Sequence, residues 1–257
     1  MLKYLLLLFI SYNLFGSTAG NAAKDEPRHI IDMPNAGILA NKHISVTALA
    51  FTDGGVMVDF TAAFFDRFNI GLSYGANKVL GSGTPLGQKY PGINLKYRIV
   101  NESTGFPALV LGFSSQGRGN WIKTYNGKKY ERFETFSPGI YLAASKNFDW
   151  TLGEISLHGG VGYSIDPKPG DRFPNFWVGA EQNLGDDFSI TGEINFLLDS
   201  QGRDYQIVSD APLLNLGVKW SASEKLSVQL QFRDLIGTYK IHNEFTRFLV
   251  FDFITPF

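Results

Sequence analysis

Side chains that could perform acid–base or nucleophilic chemistry are few in this chain. The four histidines are His29, His43, His158 and His242, and no two have the His-x-x-x-His spacing of a helical metal pair. One short segment, with Glu154, Ser156 and His158 at alternate positions, combines the residue types of a hydrolase. On a strand these residues would be about 6.6 Å apart, too far for direct hydrogen bonds. We therefore expect no catalytic residues, no metal site, no cofactor and no enzymatic activity.

A larger set of ionisable and amide residues alternates with apolar residues. If the alternating segments are strands of a closed wall, these residues line its interior: Asp59, Lys96, Arg98, Glu154, His158, Glu181, Glu193, Lys219, Gln229, Gln231, Arg233 and Asp252. Two interpretations remain open. The charges line a hydrated pore that selects a polar solute, or they pair with one another and close a narrow barrel, because isolated buried charges are costly.

A third group of polar residues lies in residues 116–136, where cations and aromatic residues are interleaved. Its members are Arg118, Trp121, Lys123, Tyr125, Lys128, Lys129 and Tyr130. Asn126-Gly127 predicts a type I′ turn, and hence a projecting hairpin. Aromatic faces suit sugar rings and cations suit acidic groups, so one hypothesis is contact with an acidic polysaccharide. The alternative is a solvated loop near a charged lipopolysaccharide surface.

The elements that position these residues are strands. Apolar and polar residues alternate with a period of two in segment after segment, which is the pattern of strands with one apolar face. The pattern predicts twelve strands, at 43–52, 56–64, 68–77, 93–99, 106–115, 137–146, 155–165, 174–183, 188–198, 214–220, 226–232 and 249–257. After the first linker, short and long linkers alternate, which is typical of barrels with tight turns at one end and longer loops at the other.

The two ends of the chain add independent signals. Lys3, the apolar run from Leu5 to Ile10 and the small residues 17–19 predict a signal peptide over residues 1–19. Residues 20–42 are polar and rich in turn residues, so we expect a periplasmic N-terminal segment that forms a tether or is tucked into the periplasmic mouth. The barrel is expected over residues 43–257.

The last segment places Phe257, Thr255, Phe253, Phe251 and Leu249 on one face of a strand. It resembles the C-terminal signature strand of bacterial outer-membrane β-barrels. The resemblance implies that the barrel-insertion machinery reads Phe257 and that the last strand pairs with the first to close the wall.

Composition excludes several classes of protein. Lys and Arg number 23 against 24 Asp and Glu, so no global charge attracts a polyanion, and we expect no nucleic-acid partner. Cysteine is absent, which excludes a disulfide framework, a thiolate metal site and a lipidated cysteine. The mean hydropathy is only -0.05 although aromatics make up 14% of the chain, which requires apolar residues to be interleaved with polar ones.

Alternation alone does not say which face points outward. A soluble β-sandwich or a lipocalin-like barrel would turn the apolar faces inward, whereas a membrane barrel turns them to lipid. A twelve-stranded wall has a radius of about 12 Å, which small inward residues would not fill unless the interior is hydrated. We therefore expect an all-β fold: a transmembrane antiparallel up-and-down barrel of about 12 strands with both termini periplasmic. Its expected place is the outer membrane of a Gram-negative bacterium, in contact with lipid and lipopolysaccharide.

Several short motifs carry a narrower resemblance. Residues 32–37 (DMPNAG), 69–74 (NIGLSY), 92–98 (GINLKYR), 106–112 (FPALVLG) and 141–146 (YLAASK) are similar to the YjbH family of exopolysaccharide-associated outer-membrane proteins. The resemblance implies a role in production, export or surface retention of an extracellular polysaccharide. A porin-like passive channel for small polar solutes is the alternative, and an outer-membrane hydrolase is a more distant one.

Overall fold

The structure is a computed structural model that describes residues 26–166, 173–199, 207–242 and 244–257. Its strands are β1 (His43–Phe51), β2 (Gly55–Phe64), β3 (Phe68–Asn77), β4 (Leu86–Gly87), β5 (Gly92–Val100), β6 (Ala108–Ser114), β7 (Arg118–Tyr125), β8 (Lys128–Thr135), β9 (Gly139–Trp150), β10 (Gly153–Tyr163), β11 (Asn175–Leu184), β12 (Phe188–Asn195), β13 (Leu213–Ser221), β14 (Leu226–Arg233) and β15 (Thr246–Pro256). None of the described residues forms a helix long and apolar enough to cross a membrane, a finding that concerns helices only.

Twelve of these strands form one antiparallel sheet that closes on itself. The last strand, β15, pairs with β1 from His43 opposite Pro256 to Ala50 opposite Leu249. β2 pairs with both β1 and β3, so the wall has no free edge there. Each of the twelve predicted strands overlaps one strand of this wall, which confirms the predicted all-β fold with a closed antiparallel barrel of twelve strands.

The two faces of the wall have opposite character. On β3, Leu72 and Tyr74 point outward and are 56% and 49% exposed, whereas the inward Asn69 and Ser73 are each 3% exposed. The same alternation continues around the barrel, so leucine, isoleucine, valine and phenylalanine cover its outside. Exposed aromatic residues lie near both ends, for example Trp220 at one end and Tyr163 at the other.

The linkers define two different ends of the barrel. Residues 65–67, 101–107, 151–152, 185–187 and 222–225 connect strands at one end, which we call the short-turn end. Longer linkers connect most strands at the opposite, long-loop end, and residues 52–54 form a tight turn there between β1 and β2. The N–H of Phe257 donates to the carbonyl of Lys42 at 2.9 Å, so β1 begins and β15 ends at the short-turn end. The predicted alternation of linkers is confirmed.

β7 and β8 form a separate two-stranded hairpin within the linker 115–138. Asn126 and Gly127 at its turn have φ angles of 49° and 74°, which confirms the predicted type I′ turn. The other end of the hairpin folds back into the barrel. Phe133 of β8 packs against inward residues of β1 and β15, among them Leu49 and Phe248. The hairpin therefore projects only at its tip, because its apolar residues pack against the wall.

Candidate functional site

The interior of the barrel, or lumen, contains the N-terminal part of the described chain. Residues 26–42, which we call the re-entrant segment, enter at the short-turn end, turn at Ile30–Met33 and return to β1. The N–H of Ile30 donates to the carbonyl of Met33 at 2.8 Å, and His29 pairs with Pro34 as an isolated bridge. Residues 30–39 are all buried. This part of the expected tether thus lies deeper than the mouth, whereas the predicted signal peptide lies outside the described residues.

The tip of the re-entrant segment is held by a buried carboxylate of the wall. Glu193 of β12 accepts hydrogen bonds from the N–H groups of Ile31, Asp32 and Met33 at 2.9–3.0 Å. Asn215 of the neighbouring β13 donates to the same carboxylate at 2.9 Å. This predicted lumen residue therefore binds peptide backbone.

A buried ion pair connects the tip to the long-loop end. Arg233 of β14 donates from Nε to Asp32 at 2.8 Å, and both side chains are almost completely buried. Its Nη2 also donates to Thr135 of β8 at 3.0 Å, and the Thr135 hydroxyl lies 2.8 Å from that of Tyr239. The guanidinium lies 4.2 Å from the ring centre of Phe248. The tip, the hairpin and the linker 234–245 therefore share one hydrogen-bonded network.

Cations of β5 hold the two arms of the re-entrant segment. Lys96 donates to the carbonyls of Arg28, Asn35 and Gly37. Arg98 bonds to Glu26 at 2.5 Å and to the carbonyl of Ala36 at 2.6 Å.

A further ion pair joins the segment to the strand that closes the wall. Arg28 of the segment lies 2.7 Å from Asp252 of β15, which also accepts hydrogen bonds from Ser45 and Thr47. Lys96, Arg98 and Asp252 are predicted lumen residues, and the structure places all three against the re-entrant segment.

Apolar packing adds to these contacts. Trp177 of β11 is buried and donates from its ring nitrogen to the carbonyl of Pro34 at 2.9 Å. Its ring lies edge-on to Tyr141 at 6.3 Å, and both pack in a cluster with Ile30 and Met33. Neither Trp177 nor Tyr141 was predicted to face inward. The period of two could have identified Trp177, because it is four residues from the predicted lumen residue Glu181 on the same strand and therefore shares its face.

Other predicted lumen residues lie on the same inward face and bond to other side chains of the wall. Glu181 pairs with Lys219 at 2.7 Å, and Gln231 donates to Gln229 at 2.8 Å. Asp59 accepts hydrogen bonds from Thr61 and Asn94, and Glu154 accepts one from Asn183. Glu181 and Lys219 thus form a charge pair within the wall, in contrast to the ion pairs that Arg98, Asp252 and Arg233 form with the re-entrant segment.

The three residues considered for a hydrolase form hydrogen bonds to residues of the neighbouring strands and not to one another. Ser156 donates to Asn147 at 2.6 Å, and Nδ1 of His158 lies 2.8 Å from the hydroxyl of Ser145 on β9. Ser145, which the sequence analysis missed, also accepts the N–H of Ala36 at 3.0 Å. The pair formed by Ser145 and His158 therefore lies next to the re-entrant segment and helps to hold it.

The predicted surface-loop residues separate into two groups. Lys123, Lys128 and Lys129 are exposed at the hairpin tip, where Tyr125 is half-buried. Trp121 packs edge-on against Phe133 at 5.1 Å, Tyr130 is buried, and Arg118 lies inside the barrel. Arg118 and Tyr130 thus lie away from the exposed surface, because the base of the hairpin is packed into the long-loop end.

One further contact joins the hairpin to the linker 234–245. Nε2 of His242 lies 2.9 Å from the buried carboxylate of Glu134. The hydrogen bond that the His242 imidazole donates to Glu134 raises the pKa of His242 above its ordinary value, although burial opposes this change. Because the pKa is raised in the folded state, the pair contributes to folding stability in full at pH values below the ordinary histidine pKa. This contribution is lost as the pH rises through the raised pKa.

Cavities lined by several charged residues lie beside the described part of the re-entrant segment. One, of about 50 Å³, lies towards β2, β3, β5 and the hairpin base, and its lining includes His29, Asp59 and Arg118. Another, of about 80 Å³, lies on the opposite side and includes Glu154, His158 and Lys219. The molecule is therefore a closed β-barrel whose lumen is occupied by its own chain.

Comparisons with known proteins give structural similarity without a sequence match. No protein family model matches the chain, and no curated protein matches it. The chain is similar to a solved structure of NanC porin in a rhombohedral crystal form, with 8% sequence identity and a TM-score of 0.43. The match covers 83% of this chain and 99% of the NanC chain.

Proposed function

We propose that this protein is a porin-like barrel of the outer membrane of a Gram-negative bacterium, and that the re-entrant segment closes it at rest. Small polar solutes would pass when the segment leaves the lumen. The exposed apolar outer face supports the membrane setting, because a belt of this size is tolerated only against lipid. Strands of about ten residues with a rise of ~3.3 Å, tilted by ~40°, span the ~25 Å apolar band of such barrels.

The observation that carries the channel proposal is that the strands of the wall close the barrel without the re-entrant segment. The wall closes through its own strand pairing, from β1–β15 round to β2–β3, and residues 26–41 form no β-ladder with it. The inward face is polar and charged. A lumen freed of the segment would therefore keep its shape and fill with water, as wide barrels with polar interiors do.

The orientation proposed for the barrel follows from its two ends. Outer-membrane barrels have short turns on the periplasmic side, so the short-turn end, with Lys42 and Phe257, is assigned to the periplasm. Phe257 is 60% exposed there, which suits recognition by the insertion machinery during assembly. Lipid and lipopolysaccharide are the partners proposed for the outer face and the long-loop end.

The channel proposal is tested by planar-bilayer conductance of the refolded chain and of a variant lacking residues 26–41. We expect no steady conductance from the intact chain and ohmic steps from the shortened one, because removing the segment hydrates the lumen. Heat-modifiable migration on a gel must first show that both barrels are folded. A folded, shortened barrel that remains silent would contradict the proposal.

A second candidate is contact with an extracellular polysaccharide, as in export or surface retention. The observation that favours it is the exposed cluster of Lys123, Lys128 and Lys129 at the hairpin tip. Changing all three to Gln is then expected to lower glycan retention by cells, whereas the exposed Lys225 at the short-turn end provides a matched Lys→Gln control. Equal retention by both variants would exclude this role for the hairpin tip.

A further inference from the structure

We propose that the lumen contains a binding site for a small oxyanion, located where the re-entrant segment, the hairpin and the wall meet. The site is the cavity of about 50 Å³ whose lining includes Arg118 of β7, His29 and Arg28 of the segment, and Lys96 of β5. The inference goes beyond the proposed channel function, because it concerns a ligand held while the segment is in place.

The first observation is the environment of Arg118. A guanidinium carries five N–H donors. The Arg118 guanidinium makes one hydrogen bond to the other described residues, from Nη1 to the sulfur of Met57 at 3.8 Å. Sulfur is a weak acceptor. A buried charge is costly unless it is paired and hydrogen-bonded. The remaining donors therefore need an acceptor in the cavity.

The second observation is His29, which lines the same cavity from the re-entrant segment. Its imidazole makes no hydrogen bond to the other described side chains or backbone groups, in contrast to His158 and His242, which do. One ring nitrogen of a neutral imidazole is a donor. Arg118 and His29 thus offer donors to one cavity from two different parts of the chain.

The charges around the cavity leave a small excess of cations. Arg28 is neutralised by Asp252, and Asp32 by Arg233. Lys96 donates to three backbone carbonyls, which leaves Lys96 and Arg118 as two cations facing one further carboxylate, that of Asp59. Within the lining the cations outnumber the carboxylates by one, and Glu193, which lies outside the lining, also acts on Arg118. The choice of an anion therefore rests on the donors of Arg118 and His29, which face the cavity with no oxygen acceptor among the described residues.

The size of the cavity limits the ligand. A cavity needs roughly 10–15 Å³ to hold one water molecule, so about 50 Å³ suffices for a small oxyanion such as inorganic phosphate and is too little for a sugar. Hydroxyl and amide groups of Thr61, Ser114 and Gln116 complete the lining. They supply further hydrogen bonds around the ion.

Isothermal titration of inorganic phosphate into the refolded, full-length chain tests the proposal. We expect saturable binding to the wild type and an affinity at least tenfold weaker in Arg118→Gln, which keeps the polarity of the side chain and removes its charge. Lys123→Gln is the matched control, because Lys123 is exposed at the tip of the same hairpin. Its affinity should equal that of the wild type.

A second variant allows the test to be made if the first variant does not fold. If Arg118→Gln does not give a heat-modifiable, folded barrel, His29→Ala is used, because it removes the donor from the segment and leaves the hairpin unchanged. Its affinity is also expected to fall. Absence of saturable binding to the folded wild type, or equal binding by wild type and folded Arg118→Gln, would overturn the proposal. Neither outcome bears on whether the shortened chain conducts.

Discussion

Arg233→Met is expected to lower the free energy of unfolding by about 3–5 kcal/mol, the usual cost of removing one partner of a buried ion pair. Arg233 is 1% exposed and Asp32 is 2% exposed. Methionine is long enough to keep packing against Phe248, but it leaves the Asp32 carboxylate without its cation. Thr135 loses a hydrogen-bond donor as well. Urea unfolding of the refolded barrel, followed by heat-modifiable migration, measures the change.

A double-mutant cycle separates the ion pair from other effects of the substitution. Asp32→Asn combined with Arg233→Met should recover most of the loss, since no uncompensated charge is then buried. Arg247→Met is the matched control, because Arg247 is exposed on β15 and its replacement should change stability by less than about 0.5 kcal/mol. The assignment fails if Arg233→Met is as mild as this control, or if the double variant loses the sum of the two single effects.

Gly37→Ala is expected to release the re-entrant segment from the lumen. A Cβ atom at Gly37 would lie 2.0 Å from the carbonyl oxygen of Pro27 and 3.1 Å from Oδ1 of Asn35, so the two arms of the segment would have to separate. The hydrogen bond from the N–H of Gly37 to Asn35, 3.0 Å long, would be disturbed by the same shift. The wall is unaffected, because Gly37 is not part of it.

Limited trypsin digestion followed by mass spectrometry measures this release. In the wild type, Arg28 is held by Asp252 inside the barrel, so cleavage after Arg28 should be slow. In Gly37→Ala we expect cleavage there to be at least tenfold faster. Gly105→Ala is the control, because a Cβ at Gly105 would meet no atom within 4 Å. Equal protection of Arg28 in all three chains would show that the segment tolerates the added methyl group.

The strands and their orientation were predictable because their signal is local. Side chains alternate between the two faces of a strand with a period of two. The run Phe68–Asn77 therefore gave both the strand and the face that carries Leu72 and Tyr74. The turn at Asn126-Gly127 was predictable for the same reason, since positive φ at two successive residues depends on the residues themselves.

The same parity placed charges such as Lys96, Glu193 and Arg233 on the inward face, but it did not say what they would contact. A charged residue on an inward face has the same local pattern whether it faces water, another wall residue or a peptide segment. A hydrated pore and a charge-filled barrel were therefore both compatible with the sequence.

The period of two thus determined the strands and the apolar face of each strand, and the width of a twelve-stranded wall indicated that this face points outward. Tertiary structure decided what fills the lumen. Residues 26–42 have no period of two, so their burial left no local signal. The contacts that hold them join residues far apart in the chain, 160 positions for Met33 with Glu193 and 201 for Asp32 with Arg233. Such pairs meet only after β15 has closed on β1, because closure of the wall is what creates an interior for the segment to occupy.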